Sequence, residues 1–116
     1  DDILAKCDRV MGKCVVDAER MKANIESQNG LVMAEKMMLA LVDSGMHRDN
    51  AHEVLRGASM IAVAEGRHLR EVCGENSEIT DAFDSDTLDS LFDPMSHLGV
   101  SGEIVDEAVG LTRSIL

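Results

Sequence analysis

Tryptophan and tyrosine are absent from this 116-residue chain, and phenylalanine occurs only twice. Any core is therefore built without the usual aromatic bulk, and eight methionines take over part of the filling. No apolar run reaches the roughly 18 residues that a membrane span requires. The acidic opening DDILAK lacks the basic segment of a signal peptide, so a soluble, cytoplasmic protein without a membrane partner is the expectation. Cysteine is scarce and odd in number. Cys7, Cys14 and Cys73 stand in no CxxC or Cys/His zinc spacing, which argues against a disulfide framework or a zinc site and for a reducing compartment. Cys7 and Cys14 lie roughly 10 Å apart along a helix axis, too far for a bridge. All three are expected to pack in the core.

Basic residues all but run out after residue 70. Residues 1–70 hold 11 acids and 10 bases, whereas residues 71–116 hold 11 acids and the single base Arg113. A phosphate-backbone binder would present a basic face, so nucleic acid is excluded as a partner. Strand alternation and hairpin signals are missing as well. What remains is helical periodicity, and the fold class is all-α, with about six or seven helices in a small domain.

Ile3, Leu4, Cys7, Val10, Met11 and Cys14 form one stripe of an amphipathic first helix. It begins at the first residue without a cap, as a natural frayed terminus would, or as the end of something longer would. Asp17 is placed to cap a helix through about Gln28, which the pair Asn29-Gly30 breaks. The segment GLVMAEKMMLALVDSG predicts a helix from Leu31 to Ser44, with Gly45 as a left-handed cap. Arg48 to Glu65 follows, with Ala51, Val54, Leu55, Ala58, Ile61 and Ala62 inward and Gly66 as its stop. Shorter helices are expected over HLREVC, Ser77–Ala82 and Asp86–Phe92, and a last one over Gly102–Ile115.

On the wheel of the Leu31–Ser44 helix, only Lys36, Asp43 and Ser44 form a polar strip. Glu35 falls outside it, between Val42 and Leu39, where a carboxylate is costly unless paired. A general acid or base is one reading of Glu35. The stronger one is a buried structural ion pair with Arg48, His52 or Arg56, because no second catalytic group is spaced to work with it.

Other candidate groups carry less. His47, His52, His68 and His97 show no ligand spacing. Asp84, Asp86, Asp89 and Asp93 lack the order of a calcium loop and read as solvated helix starts. Arg67 and Arg70 flank His68 as ordinary surface bases. No P-loop, nucleophile elbow or dinucleotide fingerprint is present. Neither a catalytic, a cofactor-binding nor a metal residue is assigned.

Five segments in series, ERMKANIESQNGLVMAE, SGMHRDNAHEVLRGAS, AEGRHLREV, DTLDSLFDPMSHLG and EIVDEAV, resemble the C-terminal end of adenylosuccinate lyase, a family of the fumarase and aspartase superfamily. The likeness is strongest to archaeal members. His47 departs from it, standing where the family often has a serine cap, so that helix start is expected to be weaker. The resemblance implies that residues 1–24 close a central helical-bundle domain and residues 25–116 form the C-terminal all-helical domain. It further implies a homotetrameric parent that expels fumarate from adenylosuccinate in purine biosynthesis, forming AMP without a metal or organic cofactor. The family's catalytic His and Ser, and its SSxMPxKxN-type loop, lie upstream of this region. The chain alone is expected to be inactive and to contribute fold, assembly and active-site closure. Its implied partners are the remainder of the lyase polypeptide and the other subunits. Two rivals remain: the 3-carboxy-cis,cis-muconate cycloisomerase family, with a similar tail, and an independent helical interaction domain. If the first helix belongs to a bundle, its bare stripe is expected to self-associate or fray.

Overall fold

The computed structural model describes residues 2–115, and among them every regular element is helical. Eight α-helices follow in order: α1 (Asp2–Met11), α2 (Ala18–Glu26), α3 (Ala34–Asp43), α4 (Arg48–Glu65), α5 (Leu69–Glu75), α6 (Ser77–Thr80), α7 (Ser85–Leu91) and α8 (Ser101–Ile115). Two 3-10 turns, Leu31–Met33 and Pro94–His97, lead into α3 and follow α7. The helix expected from Leu31 to Ser44 is thus divided. Its first turn winds tightly out of Gly30, which sits at φ 77°, and the regular helix starts at Ala34.

Side-chain caps set most of the helix starts. The Asp17 carboxylate accepts from the Arg20 amide at 2.9 Å, and that of Asp84 from the Thr87 amide at 2.8 Å. Two histidines do the same work. His68 Nδ1 accepts from the Arg70 amide at 3.1 Å, whereas His47 Nδ1 reaches the Asp49 amide only at 3.4 Å. The longer distance fits the weak cap expected at His47. Gly66, at φ 65°, closes α4 in the left-handed region, and Gly45, at φ 104°, follows α3 in the same way.

The core lies wholly between Gly30 and Phe92. Met33, Met37 and Leu41 on one side of the α3 segment meet Leu55, Ala58 and Ala62 of α4, Leu69, Val72 and Cys73 of α5, Ile79 of α6 and Leu88 and Phe92 of α7. Helix α3 packs on α4, α4 on α5, and α5 on both α6 and α7. The alanines of α4 keep these axes close, and methionine fills the space.

Outside this block, no side chain in residues 2–29 or 93–115 is buried. Helices α1 and α8 carry exposed Ile3, Leu4, Val10 and Met11, and Ile104, Val105, Leu111 and Ile115. The radius of gyration is 19.7 Å and the longest dimension 60 Å, against about 13 Å expected for a compact chain of some 100 residues. The expected packing of Cys7 and Cys14 in the core is therefore corrected. Both thiols are exposed because nothing covers their helical stripe, and only Cys73 is buried.

Truncating the centre and the arms should give opposite results. Leu41→Ala is expected to cost about 2–5 kcal/mol in chemical denaturation. Ile104→Ala, on an uncovered face, should stay within about 0.5 kcal/mol at low protein concentration.

Candidate functional site

Around Gly30 two distant parts of the chain come into close contact. The Leu69 amide donates to the Asn29 carbonyl at 2.8 Å, so the turn before α3 is tied to the start of α5. The His68 imidazole then lies directly over Gly30. A Cβ on Gly30 would stand 2.4 Å from His68 Cε1 and 2.9 Å from Nε2. Phe92 meets the same ring edge-on, with centroids 5.9 Å apart and planes at 67°. Glycine is required here twice over, by the positive φ and by the ring above it.

This junction forms the wall of a groove of about 460 Å³ lined by Ile25, Val32, Met33, Phe92, Pro94 and Met95, with Lys22, Glu26, His68 and Asp93 as its polar members. Each of these four has a structural task. Lys22 lies 3.7 Å from Glu26, His68 caps α5, and Asp93 accepts from the Met95 amide at 2.9 Å. With Nδ1 accepting a backbone hydrogen bond, neutral His68 carries its proton on Nε2. A groove so lined can bury apolar surface, but its carboxylates and imidazole are not arranged as an acid and base pair.

A second, shallower groove of about 380 Å³ brings together Ala34, Glu35, Met38, His52, Leu55, Arg56 and Ser59. Glu35, expected as a buried paired carboxylate, is exposed. The wheel located it beside α4 with His52 and Arg56 near, yet that flank of α3 is open. Arg56 is taken by Glu53 at 2.7 Å, and His52 also lies 3.8 Å from Glu53. Arg48 does not line the groove. A solvated carboxylate needs no partner, which removes the reason for the buried pair. Hydrogen bonding to Arg56 holds the Glu53 carboxyl below its ordinary range.

Arg67 and Arg70, read from the sequence as surface bases, tie the later helices together. Arg67 engages Glu65, Glu71 and Glu75, and the Arg67 hydrogen bond lowers the Glu75 carboxyl below its usual value. Arg70 Nε donates to Asp89 at 2.7 Å, and its Nη2 donates to the Ser85 hydroxyl at 2.7 Å, joining α5 to α7. The ties of Arg67 to Glu75 and of Arg70 to Ser85 and Asp89 were not legible beforehand, since these partners lie 8 to 19 residues away. Lys36 likewise donates to the Ser90 carbonyl at 3.4 Å and to the Ser96 hydroxyl. The aspartates expected as solvated helix starts do not converge. Asp84 caps α7, Asp93 caps the following 3-10 turn, and Asp89 pairs with Arg70. Among the described residues no cluster of three His, Cys, Asp or Glu side chains is placed to hold a metal ion. None of the helices there is long and apolar enough to cross a membrane.

An all-helical core with bare amphipathic arms, and with many of its polar groups committed to caps and ties, defines a class of protein: a small all-α domain. The chain belongs to the adenylosuccinate lyase C-terminus family, whose model matches residues 30–108. The adenylosuccinate lyase of Methanocaldococcus jannaschii is 36% identical over 109 residues, covering 94% of this chain and 24% of that protein. The 3-carboxy-cis,cis-muconate cycloisomerase of Acinetobacter baylyi is 42% identical over 91 residues, covering 78% of this chain and 20% of the relative. Among solved structures, the 3-carboxy-cis,cis-muconate lactonizing enzyme of Pseudomonas putida superposes with a TM-score of 0.76 at 38% identity, over 83% of this chain and 22% of that one. The chain thus spans about a fifth to a quarter of the length of the curated relatives it matches.

Two measurements probe this region. Gly30→Ala should destabilise the fold by about 1–3 kcal/mol, and by less in a His68→Ala background, a coupling that a double-mutant cycle reads directly. Burial pushes the Cys73 thiol up to about 11. In native protein an alkylating reagent at neutral pH should therefore label Cys7 and Cys14 while sparing Cys73, as counted by mass spectrometry.

Proposed function

We propose that this chain is the C-terminal part of an adenylosuccinate lyase-like enzyme of purine biosynthesis, a cytoplasmic homotetramer that cleaves a C–N bond and releases fumarate. The carrying observation is the family match over residues 30–108, which begins at the residue where the buried core begins. In this reading residues 25–116 are the satellite domain, and residues 1–24 are the end of the central bundle. The exposed stripe of α1 supports that division, since a helix of a bundle loses its cover when its neighbours are absent. The committed polar groups of the larger groove support a contribution to fold, assembly and closure of the active site rather than to bond breaking.

The archaeal relatives support the lyase reading. Adenylosuccinate lyases of Archaeoglobus fulgidus and Pyrococcus abyssi match 100% and 99% of this chain, whereas the muconate cycloisomerases and the adenylosuccinate lyase of Synechocystis match 78%. Fold alone does not select a substrate.

Purified residues 1–116 are expected to release no fumarate from adenylosuccinate, and the whole polypeptide that carries them is expected to release it. Fumarate from the short chain would overturn the silent role. Turnover of 3-carboxy-cis,cis-muconate in place of adenylosuccinate by the whole polypeptide would overturn the choice of lyase.

A further inference from the structure

Asn29 and Gly30 are the central pair of the turn that enters α3. The Leu31 amide closes this turn on the Gln28 carbonyl at 3.0 Å, and both central residues lie at positive φ, 49° for Asn29 and 77° for Gly30. Few residues adopt that conformation readily, and Asn followed by Gly is the pair that tight turns of this hand favour. The same dipeptide is chemically labile. Asparagine deamidates most readily before glycine, whose missing side chain leaves its own nitrogen unobstructed.

In that reaction the Gly30 nitrogen attacks Asn29 Cγ. The N–Cγ bond forms, the Cγ–Nδ2 bond breaks, and ammonia leaves with the proton of the Gly30 amide, closing a cyclic imide. Water then opens the ring at either carbonyl. Opening at Cγ leaves aspartate; opening at the main-chain carbonyl leaves isoaspartate, whose backbone runs through Cβ and Cγ and is longer by a carbon.

Access does not limit the reaction here. Asn29 is exposed, and the Gly30 amide takes part in none of the hydrogen bonds of the turn. Rotation limits it. In a turn of this hand the Gly30 nitrogen lies on the far side of Asn29 from Cγ, so attack requires a swing about the Cα–C bond of Asn29. That swing takes the Asn29 carbonyl off the Leu69 amide, which holds it at 2.8 Å. It also shifts Gly30, which is buried beneath the His68 ring. Neither ring nitrogen is free to take the amide proton, since Nδ1 accepts from the Arg70 amide and Nε2 carries the proton of the neutral ring.

We propose that Asn29 is a site of spontaneous deamidation that the junction of α3 with α5 holds closed and that local opening of this junction releases. Isoaspartate makes the release irreversible. Its added carbon cannot keep position 29 on the Leu69 amide and Gly30 under His68 together, so an isomerised molecule no longer closes α3 onto α5. The contacts that hold the site closed lie within residues 28–70, and the assignment stands apart from the lyase reading.

Peptide mass spectrometry of the 116-residue chain, aged at mildly alkaline pH, reads the reaction as a gain of about one dalton at position 29. In denaturant Asn29 is expected to react faster than Asn24, Asn50 and Asn76, which precede Ile25, Ala51 and Ser77. In native buffer its rate should fall at least about tenfold, in step with hydrogen exchange of the Leu69 amide. His68→Ala, with helix content intact, should raise the native rate about threefold or more. Should that variant unfold, urea below the unfolding transition gives the same comparison on the parent chain, the rate rising as Leu69 loses protection. After return to native buffer, molecules with aspartate at position 29 should refold and those with isoaspartate should stay open. A denatured chain that spares Asn29 would overturn the site. Equal rates in the native and denatured chain, or a folded His68→Ala variant no faster than the parent, would overturn its closure by the junction.

Discussion

One row of side chains on the α3 segment, Met33, Met37 and Leu41, holds the rest of this domain in place. Met37 and Leu41 are fully buried, and around them close α4, α5, α6 and α7. Removing water from apolar surface contributes about 25 cal/mol for each Å², and here that contribution is concentrated in a segment of some sixty residues. The turn that feeds α3 is correspondingly constrained. Gly30 passes under His68 while the Asn29 carbonyl takes the Leu69 amide, so the entry to α3 and the start of α5 are set by one contact. The flanking helices gain nothing from this enclosure, which explains how a chain with a well-packed centre can be 60 Å long.

Much of this was legible in the sequence because local signals agreed with one another. Arg48–Glu65 has the predicted bounds, since an alanine-rich inner face and Gly66 both point to the same helix. Asp17 and Asp84 cap the helices they precede. Periodicity reports which side of a helix is apolar, not whether another element arrives to cover it. Cys7, Cys14 and Glu35 failed for that one reason. Cys7 and Glu35 lie where the wheel placed them, Cys14 falls past the end of α1, and each faces solvent because the neighbouring surface is open. The 3-10 turn at Leu31–Met33 was hidden for a different reason: it leads out of Gly30, whose setting involves His68 almost forty residues away.

The acidic second half has a similar explanation. Eleven acids against one base look like a solvated surface, and many of them are, but several have particular work. Asp84 and Asp93 satisfy helix-start amides, Glu71 and Glu75 hold Arg67, and Asp89 holds Arg70. Carboxylates outnumber their partners, so the surplus is left along α8. What reads as an excess in the composition is, in the fold, a set of short-range ties to the few arginines that precede it.

The methionines that stand in for aromatic rings divide by depth. Met33 and Met37 are enclosed, whereas Met11, Met21, Met60 and Met95 lie open to solvent. Thioethers oxidise readily to polar sulfoxides, and a sulfoxide inside an apolar core disrupts its packing. Under oxidative stress the outer four meet the oxidant first, where an added oxygen is easily hydrated. The same residue type that makes this core adaptable also surrounds it with a sacrificial layer, so chemical damage accumulates at the periphery before it reaches the centre.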